Sequence, residues 1–217
     1  MFGTITTRRG ALLGLAVATS AAAVPWLPAE AQVAGASDAT APVQRLDDAL
    51  LAAMRSGRAT PFAQRFAALA PVIEQTINLD DVLALSVGLE WSTLPDDQKP
   101  PLRAAFLRYT VASYAANFDS YSGQTFQLSP TVRSLGNGDV IVRTKIVATD
   151  GSVRKLDYRM RNGPAVWKVV DVLEDGSISR VAVQRSDFRE LLGTGGVPAL
   201  MAALKQKVVT LSGGMLA

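Results

Sequence analysis

Neither cysteine nor histidine occurs among the 217 residues of the sequence. Without cysteine the chain has no disulfide, no thiolate nucleophile and no acylation site of the lipoprotein type. Without histidine it lacks the commonest general base and the commonest metal ligand, so catalysis would depend on Asp, Glu, Lys, Tyr or Ser. The two absences favour a protein that is not an enzyme and that holds no metal or other cofactor.

Recognisable catalytic motifs are missing as well. The sequence has no phosphate-binding glycine loop, no Gly-x-Ser-x-Gly and no metal-ligand spacing. The acidic pairs Asp80-Asp81 and Asp96-Asp97 are adjacent residues, which do not share a helix face, and such pairs are typical of helix starts. The formal charge is only +3, and we expect no nucleic-acid partner.

The N-terminal segment has the layout of a secretory signal. Arg8 and Arg9 precede an uncharged run from Gly10 to Leu27, and small residues follow in Ala29-Glu30-Ala31. This arrangement predicts a signal peptide over residues 1–31, cleaved near Ala31. The paired arginines leave the twin-arginine export route open.

The remaining sequence divides by the period of its apolar residues. Residues 32–42, rich in Ala, Ser, Thr and Pro, predict a disordered leader, and helical spacing from Pro42 to about Phe118 predicts four helices. Alternation such as Val142, Thr144 and Ile146 predicts strands over residues 125–135, 140–149, 153–161 and 165–173, with turns at Asn-Gly and Asp-Gly dipeptides. Helical spacing then returns.

These patterns predict one α+β domain over residues 43–211. A four-stranded antiparallel meander should be covered by the N-terminal helices and by two C-terminal helices, which Gly195, Gly196 and Pro198 separate. The inner sheet face would then be apolar, and from the residues alone a filled core is favoured over a ligand cavity. That face comprises Phe126, Leu128, Val132, Val142, Thr144, Ile146, Leu156, Tyr158, Met160, Trp167 and Val169.

The outer face of the predicted sheet is basic, with Asp157 as its single acid. It is either an ordinary solvated surface or a docking surface for an acidic partner protein or for anionic headgroups. Its basic residues are Arg143, Lys145, Lys155, Arg159, Arg161 and Lys168.

Asp171 is the most unusual residue of the predicted sheet. It shares strand parity with Trp167, Val169 and Leu173, which would carry a carboxylate into the apolar interior, where it needs a partner. We predict a buried ion pair with Arg185. A polar group at a ligand cavity and a catalytic acid or base are the alternatives.

An ordered set of residues across the second half resembles a known family. The runs Leu156 to Arg161 and Trp167 to Val172, followed by Gly176, Ser179 and Phe188, resemble the periplasmic lipid carriers of the Mla and toluene-tolerance type. The segment from Asp175 to Phe188 is most similar to the hopanoid-biosynthesis-associated HpnM branch. The spacing between Gly176 and Ser179 is one residue longer than in the general lipid-carrier pattern, and this difference favours that branch. The resemblance covers roughly residues 43–208.

The resemblance implies a periplasmic protein whose sheet and helices enclose a pocket for acyl or polycyclic tails. It implies a hopanoid or phospholipid ligand, no covalent chemistry, and an accessory role to a membrane-bound ABC transport complex in outer-membrane maintenance; we expect a monomer. It reverses the preference for a filled core, so the inner-face residues, with Phe106 and Tyr109, become pocket candidates. Two alternatives stay open: a small enzyme with Asp171 as acid or base on an apolar substrate, and a scaffold for hopanoid synthesis without a pocket.

Overall fold

The computed structural model describes residues 36–216. The predicted signal peptide and residues 32–35 of the predicted leader lie outside that range. Helix α1 (Ala36–Ser56) begins six residues before Pro42, so residues 36–42 are helical and not disordered. Ala39 and Val43, one helical turn apart, are both fully buried. Packing therefore orders a segment whose composition alone predicted disorder.

Three further α-helices precede the sheet: α2 (Phe62–Thr76), α3 (Leu79–Val87) and α4 (Lys99–Asn117), with a short 3-10 helix, Gly88–Thr93, after α3. The first turn of α3 carries Asp80 and Asp81, and the Asn78 side chain accepts a hydrogen bond from the Asp81 backbone N–H. The acidic pair thus marks a helix start, as predicted. None of the helices among residues 36–216 is long and apolar enough to cross a bilayer.

The sheet has five antiparallel strands in sequential order, not the four that were predicted. The first four are β1 (Thr125–Ser134), β2 (Val140–Val147), β3 (Val153–Asn162) and β4 (Trp167–Glu174). The fifth, β5 (Ile178–Ser179), pairs with the end of β4 after a turn at Asp175 and Gly176, which both have positive φ. Two residues are too few to show a strand period, and for this reason the pattern missed β5.

Helix α5 (Arg180–Leu211) closes the fold and is interrupted at Gly195 and Gly196. Gly196 has φ 64° and ψ −158°, a conformation that favours glycine. The two halves of α5 correspond to the two C-terminal helices that were predicted. Helix α5 packs on α3, α4 and β4, and α1 crosses β1 to β4, so the helices bury the inner sheet face.

The inner face follows the predicted alternation in β2 and β3 but not throughout β4. Met160 pairs with Val169, and Arg159 pairs with Asp171, which leaves Val170 as an extra residue in a β-bulge. Beyond the bulge the parity of β4 is reversed, because an inserted residue shifts every following side chain to the other face. Val172, not Asp171 or Leu173, then pairs with the inward-facing Tyr158.

Candidate functional site

A cavity of about 580 Å³ lies between α3, α4, β3, β4 and the start of α5. Its wall on the α3 side is anchored to the sheet where the Asn78 backbone N–H donates to the Val169 carbonyl oxygen at 2.9 Å. Apolar and polar groups contribute to its lining in roughly equal measure, and the apolar ones are Ile77, Leu79, Val82, Phe106, Phe118, Leu156, Val169, Val172 and Val181.

Five of the predicted pocket residues line this cavity: Phe106, Tyr109, Leu156, Tyr158 and Val169. The other eight do not line it: six of them lie on β1 and β2, which α1 contacts, and two lie on β3 and β4 near the turn that joins these strands. The cavity is therefore confined to the β3–β4 side. The residues outside it are Phe126, Leu128, Val132, Val142, Thr144, Ile146, Met160 and Trp167.

One face of helix α4 lines the cavity, and its polarity changes along the helix. Its lining residues recur every three or four positions, which places them on one helix face. At one end Phe106 is almost fully buried and packs edge-on against Phe188, with ring centroids 6.2 Å apart. Thr110, Ser113 and Tyr114 follow, and Asn117 at the other end is exposed. The wall thus changes from apolar to polar towards solvent.

Charged groups surround the mouth of the cavity. Arg154 and Asp175 are exposed, and the Arg180 guanidinium lies 3.5 Å from the half-exposed Glu174 carboxylate. An apolar interior with a charged rim is an arrangement suited to an amphiphile, whose tail is buried while its polar end stays in water.

Asp171 lies at the cavity wall, but the predicted ion pair with Arg185 is not formed. Its carboxylate accepts hydrogen bonds from the Ser179 hydroxyl and from the backbone N–H groups of Val172 and Val181. It therefore occupies the N-terminus of α5, where exposed N–H groups stabilise negative charge. The reason is the bulge in β4, which turns Asp171 towards the helix start.

Arg185 has a different partner. Its Nε donates to the Leu85 carbonyl oxygen at 2.8 Å, near the C-terminal end of α3, where carbonyl groups lack helical partners. Arg185 thus joins α5 to α3 and does not balance the charge of a buried acid.

Asp47 is the residue that sequence reasoning missed. It lies on α1 with 2 % of its surface exposed, and neither carboxylate oxygen has a hydrogen-bonding partner among the described residues. Burial, reinforced by the charge of Asp48, raises the pKa of Asp47 from 3.8 to about 7, although the neighbouring Tyr158 hydroxyl acts in the opposite direction. The signal was present: Asp47 lies four residues after Val43 and three before Leu50, within the apolar stripe of the predicted helix.

Two tyrosines that line the cavity interact electrostatically with Asp47. Burial, and then the charge of Asp47, raises the pKa of Tyr158 well above its usual value. Burial raises the pKa of Tyr114 to about 12, against the opposing effect of Arg180. Both residues line the cavity and keep their phenolic protons at neutral pH.

The outer sheet face is less uniformly available than predicted. Arg159 and Arg161 bind the Asp139 carboxylate at 2.6 and 3.0 Å, and Arg161 also binds Asp81 at 2.8 Å. Lys168 donates to the Glu74 carbonyl oxygen at 3.0 Å. These three of the six basic residues are engaged in tertiary contacts. Those that stay exposed around Asp157 are Arg143, Lys145 and Lys155.

The fold is similar to that of a phospholipid-binding protein from Ralstonia solanacearum whose structure contains a phospholipid. The TM-score is 0.69 at 23% sequence identity, and the match covers 81% of this chain and 99% of that chain. At that identity the likeness establishes the fold. The sequence itself matches a family model described as MlaC protein over residues 44–206, well over half of its length. The chain therefore belongs to the MlaC family.

Proposed function

We propose that the protein is a periplasmic lipid carrier, which binds a lipid in the cavity and moves it between the membranes of the cell envelope. The observation that carries the proposal is the cavity of about 580 Å³ with an apolar part inside and charged groups at its mouth, in a chain of the MlaC family. Such a cavity can bind a lipid without any covalent chemistry, because burial of the tail supplies the binding free energy. Each buried methylene of a lipid tail contributes about 0.8 kcal/mol.

Two lipid classes fit the proposal. The phospholipid bound by the structurally similar Ralstonia solanacearum protein supports a phospholipid. The resemblance of the segment from Asp175 to Phe188 to the hopanoid-associated branch supports a hopanoid. In either case Arg154 and Arg180 at the mouth would contact an anionic headgroup near solvent, because guanidinium groups bind phosphate oxygens well.

The rest of the proposed cycle concerns export and docking. Residues 1–31 would direct the chain to the periplasm. The exposed outer-face residues Arg143, Lys145 and Lys155 would dock on an acidic surface of a membrane-bound ABC transport complex, with the carrier acting as a monomer in outer-membrane maintenance.

The enzyme alternative has less support. Asp171 already accepts three hydrogen bonds that fix it to the start of α5. Asp47 has a raised pKa, but it does not line the cavity. Neither carboxyl group is placed to exchange a proton with a bound substrate, as general acid–base catalysis requires.

Lipid extraction tests the proposal directly. The mature chain, purified from its natural compartment and extracted with organic solvent, is expected to release a phospholipid or hopanoid that mass spectrometry identifies. The purified chain should also transfer labelled lipid between vesicles. Absence of both co-purified lipid and transfer would overturn the carrier function.

A cavity-filling variant localises the binding. Val172→Trp adds a large ring to the lining and should lower transfer at least tenfold. Val166→Trp makes the same substitution at an exposed position outside the cavity and should leave transfer unchanged. Equal transfer by both variants would place the lipid elsewhere.

A further inference from the structure

The volume of the cavity limits how much hydrocarbon it can hold. A methylene group occupies about 30 Å³, close to the share of one water molecule in the liquid. A cavity of about 580 Å³ therefore has room for about 19 methylene groups. Polar side chains make up about half of the lining, so the part that suits hydrocarbon is smaller, and this number is an upper limit.

The length of the cavity leads to the same limit. On α4 its lining runs from Phe106 at the closed end to Asn117 at the exposed end. These two residues are eleven positions apart, which corresponds to about 16 Å along a helix axis. The tails of one bilayer leaflet span about 15 Å, half of the hydrocarbon core. The cavity is thus about as long as one fluid acyl chain.

Aromatic packing fixes the closed end of the cavity. Phe106 is buried, and its ring lies 6.2 Å from that of Phe188 and 6.4 Å from that of Tyr109, centroid to centroid. Leu102, one turn earlier on α4, is fully buried and does not line the cavity. A longer chain would have to displace these core side chains, which close packing resists.

The β1–β2 half of the inner sheet face belongs to the packed core. The strands that line the cavity are β3 and β4. On β2, Val142 is fully buried in the apolar core, and the buried Thr144 hydroxyl donates to the Leu156 carbonyl oxygen at 2.6 Å. A second chain beside the first would have to displace these packed groups.

We infer that the lipid bound here carries a single acyl chain and belongs to the lysophospholipids. The inference rests on the proposed carrier function and narrows its ligand. One oleoyl chain, with about 17 methylene-sized groups, fits within the limit, whereas two such chains exceed it by about 15 groups. The headgroup of a lysophospholipid would lie at the mouth, beside Arg154 and Arg180.

The excess hydrocarbon matters because a carrier exchanges its lipid with a bilayer. In the bilayer the tails of both lipids are buried, so a single chain keeps that burial when it enters the cavity. A lipid with two chains would leave about 15 groups in water, and each lost methylene lowers the affinity about fourfold. The cavity should therefore select the lipid with one chain.

Uptake from mixed vesicles tests the inference. The delipidated mature chain is mixed with phosphatidylcholine vesicles that contain equal amounts of oleoyl lysophosphatidylglycerol, dioleoyl phosphatidylglycerol and diplopterol. The protein is then separated from the vesicles, and mass spectrometry quantifies the bound lipids. We expect the lysophosphatidylglycerol to be enriched at least about tenfold over the dioleoyl lipid, although their headgroups are the same.

A substitution at the closed end tests where the chain ends. Lysophosphatidylglycerols of increasing chain length should bind about fourfold more tightly per added methylene and level off at about 18 carbons. Phe106→Ala removes a ring from the lining and should move that plateau about three carbons further. Phe66→Ala makes the same change at a partly buried position outside the cavity and should leave the plateau where it is. Should Phe106→Ala fail to fold by circular dichroism, the vesicle test still decides.

The outcomes separate the two proposals. A smaller enrichment, an excess of the dioleoyl lipid or a preference for diplopterol would overturn the inference and leave the carrier function intact. A plateau that folded Phe106→Ala does not move would do the same. Uptake of none of the lipids would overturn the carrier function itself.

Discussion

Asp47 and Asp139 are buried to the same degree, with 2 and 3 % of their surfaces exposed, but their surroundings are opposite. Burial alone would raise the pKa of Asp139, yet hydrogen bonds from Arg161 and Arg159 outweigh it and lower that pKa. At Asp47 burial and the charge of Asp48 outweigh the Tyr158 hydroxyl, and its pKa rises to about 7. Burial by itself does not decide whether a carboxyl group stabilises a protein; the donors around it do.

The comparison also separates two kinds of buried polar group in this fold. The cluster of Asp139, Arg159, Arg161 and Asp81 joins the β2–β3 hairpin to α3 and satisfies its charges internally. Asp47 and Thr110 have buried side-chain oxygens that make no hydrogen bond within residues 36–216. Polar groups that the chain satisfies itself stabilise the fold, and a buried group left unsatisfied lowers its stability.

The largest expected effect is the pH dependence that Asp47 imposes on stability. Because the folded-state pKa lies above the ordinary value of 3.8, the folded protein holds the proton more tightly than the unfolded chain does. The free energy of unfolding should therefore fall by about 4 kcal/mol as pH rises from 3.8 to 7 and then level off. Urea denaturation at several pH values measures this fall.

Asp47→Asn should remove most of that slope and unfold at higher urea concentration at pH 8. Asp48→Asn changes the exposed neighbour and should retain most of the slope. Parallel pH profiles for the unmodified protein and Asp47→Asn would show that Asp47 is not the titrating group and would end the contrast with Asp139.

Asp139→Asn should have the next largest effect on stability. It should lower the free energy of unfolding, whereas Asp47→Asn should raise it. Asp139→Asn removes a charge that two arginines bind, and because those arginines are partly exposed we expect a loss of about 2 kcal/mol at pH 7. Since the pKa of Asp139 is lowered in the folded state, its contribution is present at neutral pH and lost as pH falls below about 4. Denaturation of the exposed-site variant Asp97→Asn, which should be within about 0.5 kcal/mol of the unmodified protein, provides the reference.

Ser179→Ala changes the surroundings of a third carboxylate, that of Asp171. The Ser179 hydroxyl donates to Asp171 and accepts from the Ala182 N–H, so it both caps α5 and satisfies the acid. Its loss should destabilise the protein by about 1 kcal/mol. Thermal denaturation next to Ser177→Ala, an exposed serine in the preceding turn, measures the difference; equal melting temperatures would contradict the capping role.

The smallest effect on stability is expected for Asp81, at the exposed edge of the cluster that it forms with Asp139, Arg159 and Arg161. Asp81 and Arg161 have side chains that are 35% and 38% exposed, so water and salt screen their attraction. Asp81→Asn should change stability by about 0.5 kcal/mol, and the change should vanish at 1 M salt. A loss as large as that of Asp139→Asn would show that Asp81 belongs to the centre of the cluster.

Local patterns in the sequence predicted the elements of the fold well. Alternation in β2 and β3, Asn-Gly and Asp-Gly turns, and helical spacing report the geometry of the backbone within a few residues of each position. For the same reason the family resemblance, which depended on an ordered set of residues, is confirmed by the family match over residues 44–206. Membership of the hopanoid branch stays a prediction.

Tertiary packing decided the site. Residues such as Val142 and Ile146 have the same alternation as Tyr158, but they lie on β2, which α1 contacts, whereas the strands that line the cavity are β3 and β4. The bulge at Val170 reversed the parity that had paired Asp171 with Arg185. Whether a buried carboxyl group such as Asp139 meets a cation depends on residues far away in sequence, here Arg159 and Arg161. Short-range sequence patterns thus predicted the four longer strands, their turns and the family. Where the interior is left open followed from packing, because it depends on which distant side chains meet.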